Sequence, residues 1–295
     1  MQLLPVMVAA MAGLSMAHPN HPTRRDVIAP RGRCGAPEPS RSNIEASRRM
    51  AKQQKFNPEV ALQSTDDQIE LGVYFHIISD GTDPVAEGGT VLDTALNAQL
   101  STLNADYQQA GISFKLVNTT RTVNKDWFHV EMNSDQEIQM KKALRKGTYR
   151  DINIYFASLT GGVLGWCTYP ETNPSDHQIT ADGCAVAFAS LPGGTAPYNL
   201  GRTLTHELGH WLNLFHTFQG GCSAENDSVE DTPAEQGPTY GCPATPVDTC
   251  TGPGFDGLDN TNNFMNYVDD SCMTNFTSGQ ITRMHQSFNS FRKAI

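Results

Sequence analysis

From residue 69 onward the hydrophobic positions change period several times. The stretch "IELGVYFHIIS" (69–79) alternates and is β-branched or aromatic, which predicts a strand. In "VLDTALNAQLSTLNADYQQAG", Leu92, Leu96, Leu100 and Leu103 recur at helical spacing, and Gly111 is a stop signal. Strand character returns in "ISFKLVNTTRTV", "DINIYFASL" and "CAVAFASL", the last broken by Gly193-Gly194. A second helix is predicted from Asn199 to about Asn213. Residues 219–263 are rich in Gly, Pro, Asp and Cys and read as loop. The closing "FTSGQITRMHQSFNSFR" predicts a helix, with Thr277 three residues before Gln280 as a capping box. No internal repeat is visible. Strands and a helix first, then a poorly regular half with a closing helix, make an α+β arrangement in one domain.

Before residue 69 the chain reads differently. "MQLLPVMVAAMAGLSMA" (1–17) is an apolar run with small residues at Ser15 and Ala17, as in a secretory signal cleaved after Ala17, although no Lys or Arg marks its start. Pro5 and Gly13 break it as a membrane anchor, and no later run is long enough to span a bilayer. Residues 18–55 are rich in Pro, Arg, Ser and Asn and poor in aromatics, a composition expected of a prosegment mostly without a core of its own. Arg24-Arg25 and Arg48-Arg49 offer dibasic cutting sites, and residues 56–295 form the expected catalytic unit.

Three sequons, at Asn118, Asn226 and Asn275, and seven cysteines agree with export. The net charge of −10 argues against a nucleic-acid or anionic-membrane partner. Oligomeric state is not legible.

The chemistry concentrates in "LTHELGHWLNLFH". His206 and His210 are four apart, so on a helix both lie on one face and can reach one zinc ion. Glu207 points about 100° round the helix, beside the ligands but not among them, as suits a base acting on water. His216 is harder. Continued as helix, it would lie roughly 15 Å beyond His206 along the axis. The helix must therefore end between His210 and His216, and the chain must turn back. Asn tolerates the positive φ of such a turn better than any residue except Gly, which makes Asn213 the expected bend.

This string resembles the extended zinc motif of the metzincin metallopeptidases, HExxHxxGxxH, with Asn213 in place of the usual glycine. "NNFMNYVDD" looks like their methionine turn, with Met265 as its methionine. "HTFQGGC", "VEDTPAE" and "FMNYVDDSCM" look most like the pappalysin-type subfamily, in particular secreted fungal extracellular metalloproteases. The resemblance covers roughly residues 69–295. It implies a twisted mixed sheet with backing and active-site helices above an irregular lower half, with a methionine turn and a C-terminal helix. It also implies a secreted zinc endopeptidase acting on proteins or peptides, with His206, His210 and His216 as ligands and Glu207 as general base. Tyr267 matches a tyrosine that in several metzincins steadies the tetrahedral intermediate; plain core packing is its alternative role. The rival function is a secreted binding or effector protein with a silent zinc.

"RGRCGAPEPS" resembles the cysteine-switch motif of matrix metalloprotease zymogens, with Glu38 in place of the aspartate. Cys34 would then hold the precursor latent by taking the fourth zinc position; an incidental or intermolecular thiol is the alternative. The other six cysteines could pair in many ways. The resemblance favours Cys222–Cys250 and Cys242–Cys272, leaving Cys167–Cys184. Related proteins bind calcium near "NDSVEDTP", where Asp227, Glu230 and Asp231 offer oxygens, though a solvated acidic turn reads equally well. An extended substrate is expected along the sheet edge, near "CAVAFASLPGG".

Overall fold

The computed structural model describes residues 32–56, 68–82 and 88–293. The expected signal sequence, residues 1–17, and Arg24-Arg25 lie outside the described residues.

Five strands, β1 (Ile69–Ser79), β2 (Ile112–Val123), β3 (Ile152–Ala157), β4 (Gly165–Cys167) and β5 (Cys184–Ala187), form one sheet in the order β2-β1-β3-β5-β4. All neighbours are parallel except β4, which runs antiparallel to β5 at the edge. The helices are α1 (Arg41–Phe56), α2 (Asp93–Asp106), α3 (Lys125–Phe128), α4 (Asp135–Leu144), α5 (Asp176–Ala181), α6 (Arg202–Trp211) and α7 (Ser278–Ser287). The parallel strands need crossover connections, which α2 and the α3–α4 pair supply.

Apolar periodicity explains most of this. Leu71, Val73, Phe75 and Ile77 of β1 face one side, where Leu96 and Leu103 of α2 and Leu204 and Leu208 of α6 close the principal core. Gly111 stops the helical run with φ 63°, which a side chain would resist. The other face carries a smaller cluster, with Ile78, Phe128, Met140, Tyr155 and Trp166. Trp166 fixes the edge strand by donating to Glu137 Oε1 at 2.7 Å, and that carboxylate also pairs with buried Lys141.

Below α6 the chain is irregular until α7, apart from a short turn at Asp270–Cys272. Cys222–Cys250 and Cys242–Cys272 staple this half, and Cys167–Cys184 joins β4 to β5. The α7 capping box is present, and Gln280 does more than cap: it exchanges two hydrogen bonds with Asn263, at 2.8 and 3.1 Å. Its helix thereby grips the segment before Met265.

Two expectations change. Residues 184–187 are not the sheet edge, because β4 pairs outside them; three residues containing Gly and Cys carry too little pattern to announce an edge strand. Residues 41–56, expected to be mostly without a core of their own, form a helix that buries Asn43, Ala46, Ser47 and Met50, with Ala46 and Met50 packed on Phe291. That stripe has helical spacing but is half polar, so hydrophobicity alone misses it. Arg48-Arg49 lies inside this helix, with Arg48 paired to Glu225.

A buried ion pair closes the far end of α6. Arg292 is 1% exposed, bonds Asp182 Oδ1 at 3.0 Å and stacks 3.4 Å over the Trp211 ring, while Trp211 Nε1 donates to the same carboxylate. Arg292→Ala leaves Asp182 only the longer Arg145 contact at 3.6 Å and its bonds from Thr168 and Trp211, so urea unfolding should show a loss of about 3 kcal/mol.

Candidate active site

Helix α6 begins after Gly201, whose φ is 84°, and is buried along almost its whole length. His206 and His210 leave its face one turn apart, as their spacing requires. The helix stops at Trp211; Asn213 then adopts φ 71°, and Leu214 N bonds back to Gly209 O at 2.8 Å. This reversal returns His216, whose Nε2 lies 3.1 Å from His210 Nε2.

The rings are aimed by carbonyls. His206 Nδ1 meets Phe264 O at 2.7 Å, and His210 Nδ1 meets Leu214 O at 2.8 Å. Each bond fixes the Nδ1–H tautomer and leaves Nε2 as the free lone pair. His206 Nε2 is buried without a partner. Burial holds His210 down at about 4, and His206 and His216 well below the usual imidazole range, so all three are neutral near pH 7. One donor atom from each histidine and Cys34 Sγ lie within 4.8 Å of one another. Neutral imidazoles converging on an unsatisfied point, with the His210–His216 edge of 3.1 Å near the roughly 3.3 Å of a tetrahedral zinc site, suit that metal.

Glu207 sits beside this point, not in it. Burial raises its carboxyl to about 8; Oε2 accepts from Cys34 Sγ at 3.3 Å, and Oε1 has no partner. A Cβ on Gly165 would meet Glu207 Cγ at 2.9 Å, so the edge strand needs glycine there. Tyr267 OH lies 3.2 Å from His216 Nε2 and 3.4 Å from Cys34 O. Met265 fills the floor under Gly209, and Thr217 N bonds Met265 O at 3.3 Å, tying the histidine strap to the methionine turn. Beneath them, buried Glu235 accepts from Asn260 N and Asn266 Nδ2 at 2.7 and 2.8 Å.

The N-terminal segment runs through the cleft. Arg33 O accepts from Leu164 N at 3.0 Å and Gly35 N donates to Gly165 O at 2.8 Å, so the segment pairs with the edge strand β4. Arg33 itself is 1% exposed: it pairs with Asp270 Oδ1 at 2.5 Å, donates to Val268 O and lies 4.7 Å over the Tyr198 ring. Asp270 also accepts from Leu200 N at 2.9 Å, which locks the loop before α6.

Arg33, Asp270 and Tyr169, whose hydroxyl is 3.0 Å from His210 Nδ1, escaped the sequence reading. Only Arg33 had a signal, its place beside Cys34. The three carboxylates considered for calcium are not gathered. Asp227 accepts from Val229 N and Thr232 Oγ1, Glu230 pairs with Lys55, and Asp231 bonds Thr277 and Gly279 at the start of α7.

A family model described as Pregnancy-associated plasma protein-A, Peptidase M43, matches residues 132–289. The chain is 39% identical over 296 residues to an extracellular metalloprotease of Colletotrichum graminicola, covering 99% of this chain and 100% of that one. It is 43% identical to one of Pyricularia oryzae, covering 88% and 89%. Among solved structures it resembles mature mirolysin of Tannerella forsythia in complex with a cleaved peptide, at 26% identity and TM-score 0.61, covering 76% and 92%. A promirolysin mutant from the same organism, 24% identical, shares the fold with TM-score 0.64 over 88% and 94%.

The floor gives a direct test. A Cβ on Gly209 would run into Met265 Sδ. Gly209→Ala should lower unfolding free energy by about 1–3 kcal/mol and weaken zinc retention in a chelator competition.

Proposed function

This chain belongs to the Peptidase M43 family and is a metalloendopeptidase of metzincin fold, and from that premise we propose that it is a secreted zinc endopeptidase made as a latent precursor. The observation carrying this reading is the convergence of three Nε2 atoms beside an unpartnered carboxylate oxygen, with a thiol at the remaining position. A further support is that relatives covering nearly the whole chain are named extracellular metalloproteases. The mirolysin neighbour, at 26% identity, is a complex with a cleaved peptide.

Zinc bound by His206, His210 and His216 would act as Lewis acid toward a peptide carbonyl and acidify a water in its open position. Glu207, beside the histidines, takes a proton from the attacking water and passes it to the leaving amine. Its lack of competing donors at Oε1 suits that traffic. Tyr267 OH, beside His216 Nε2, donates to the oxygen on which negative charge develops. Leu164 N and Gly165 O of the rim, which now bind Arg33 and Gly35, would bind the backbone of an extended substrate.

In the precursor, residues 18–55 act as the prosegment and Cys34 closes the site. Its half-buried thiol lies against Glu207, and its carbonyl meets Tyr267, so it touches both groups assigned to proton transfer and oxyanion support. The pocket that holds Arg33 also suggests a substrate. Once the segment leaves, Asp270 is a buried carboxylate without its cation, and a basic side chain next to the cleaved bond would restore the pair.

In a full chain carrying Cys34→Ser, casein should be hydrolysed, and a zinc chelator should stop it. Adding Glu207→Gln should lower kcat by about 10²–10⁴-fold while zinc content stays at one per chain. If the Cys34→Ser chain were inert while a trimmed chain cut casein, the thiol would not be the latch. Peptide libraries should show Arg or Lys beside the scissile bond, and its replacement by norleucine should lower kcat/KM by about a hundredfold.

A further inference from the structure

We propose that Asn213, where the metal-binding motif lacks its usual glycine, is a docking residue for helix α1, and that α1 is a second anchor controlling how readily Cys34 leaves the histidines. This rests on the reading that Cys34 closes the site.

The turn alone does not call for asparagine, because glycine adopts φ 71° without a Cβ penalty. What asparagine adds is an amide. Asn213 is fully buried, and its Nδ2 donates to Ser47 Oγ on α1 at 3.2 Å, while its Oδ1 has no partner. The contact joins the bend between His210 and His216 directly to the N-terminal segment.

The rest of the same helix face is held as well. Asn43 Nδ2 donates to Pro170 O at 2.6 Å, on the loop leaving the edge strand. Ala46 and Met50 pack on Phe291 in an apolar cluster of their own. At the rim, Arg48 pairs with Glu225, and Lys55 with Glu230 at 3.0 Å. The helix is thus bound to four separate parts of the catalytic unit: the α6 turn, the loop after the edge strand, the rim at Glu225 and Glu230, and the C-terminal end of the chain.

Residues 35–40 connect this docked helix to Cys34, a tether short enough to keep the thiol at high effective concentration over the histidines. A thiol that let go would be returned before the cleft could fill. Two consequences follow. A cut on the C-terminal side of α1 nicks the chain without opening the site. With the thiol in place, undocking of α1 or a cut within 35–40 favours opening.

The test uses the zinc-loaded full chain and iodoacetamide. Cys34 is the one free thiol, since the other six cysteines are in disulfides. Its alkylation rate reports opening. Ser47→Ala should speed alkylation about fivefold, the loss of one hydrogen bond. Met50→Ala should speed it about tenfold or more. Asn213→Gly should match Ser47→Ala, and the double variant should exceed neither, because both remove one contact. Should Asn213→Gly lose zinc, the two α1 variants decide, as they leave the catalytic unit untouched. Zinc-protected Cys34 with rates unchanged in Ser47→Ala and Met50→Ala overturns the anchor and leaves the switch standing. A rate indifferent to zinc in the wild-type chain removes the switch itself, and the anchor with it.

Discussion

The governing constraint is that three imidazoles must present their Nε2 atoms to one point, although a continuous helix would carry the third far away. The whole lower half answers to this. Asn213 reverses the chain, Leu214 O and Phe264 O aim two of the rings, and Met265 supports Gly209 from below. Because Phe264 belongs to the methionine turn, His206 is oriented by a segment far along the chain. The methionine turn is in turn held by Asn263 through Gln280 and by Asn266 through Glu235. A short helix and a loop become a rigid metal platform only when these long-range bonds are in place.

Rigidity elsewhere comes from buried polar pairs more than from regular structure. Asp182 with Arg292 and Trp211 closes one end of the metal helix, and Asp270 fixes the loop at the other. Glu137 with Lys141 and Trp166 holds the edge strand. In these three clusters each buried charge has a partner, as the cost of desolvating an unpaired one demands. The loop-rich half, which lacks ladders, relies on Cys222–Cys250 and Cys242–Cys272. This division explains how a region without helices or strands can form the floor of a precise site.

The long, strongly periodic segments were legible. Strands 69–79 and 112–123 stand where their alternation put them, and the α7 cap follows its Thr-to-Gln spacing. The left-handed bend was legible as well, since helical geometry forbids His216 from reaching the others without one. Elements with weak pattern were not: β4 has three residues, and α1 buries a stripe of Asn, Ala, Ser and Met. Such a stripe becomes a helix face only against a surface that complements it.

Among the site residues, the histidines and Glu207 declare themselves by local spacing, because their geometry is set within a few turns of backbone. The sequence by itself therefore determined the α+β class, the turn, and the identity of the groups that converge. It could not determine that Arg33 meets Asp270, that Ser47 meets Asn213, or that Tyr169 reaches His210. Those contacts join residues with no common period, and each depends on where distant segments come to rest. Only the tertiary structure, by burying polar groups that must then find partners, decides which of them meet.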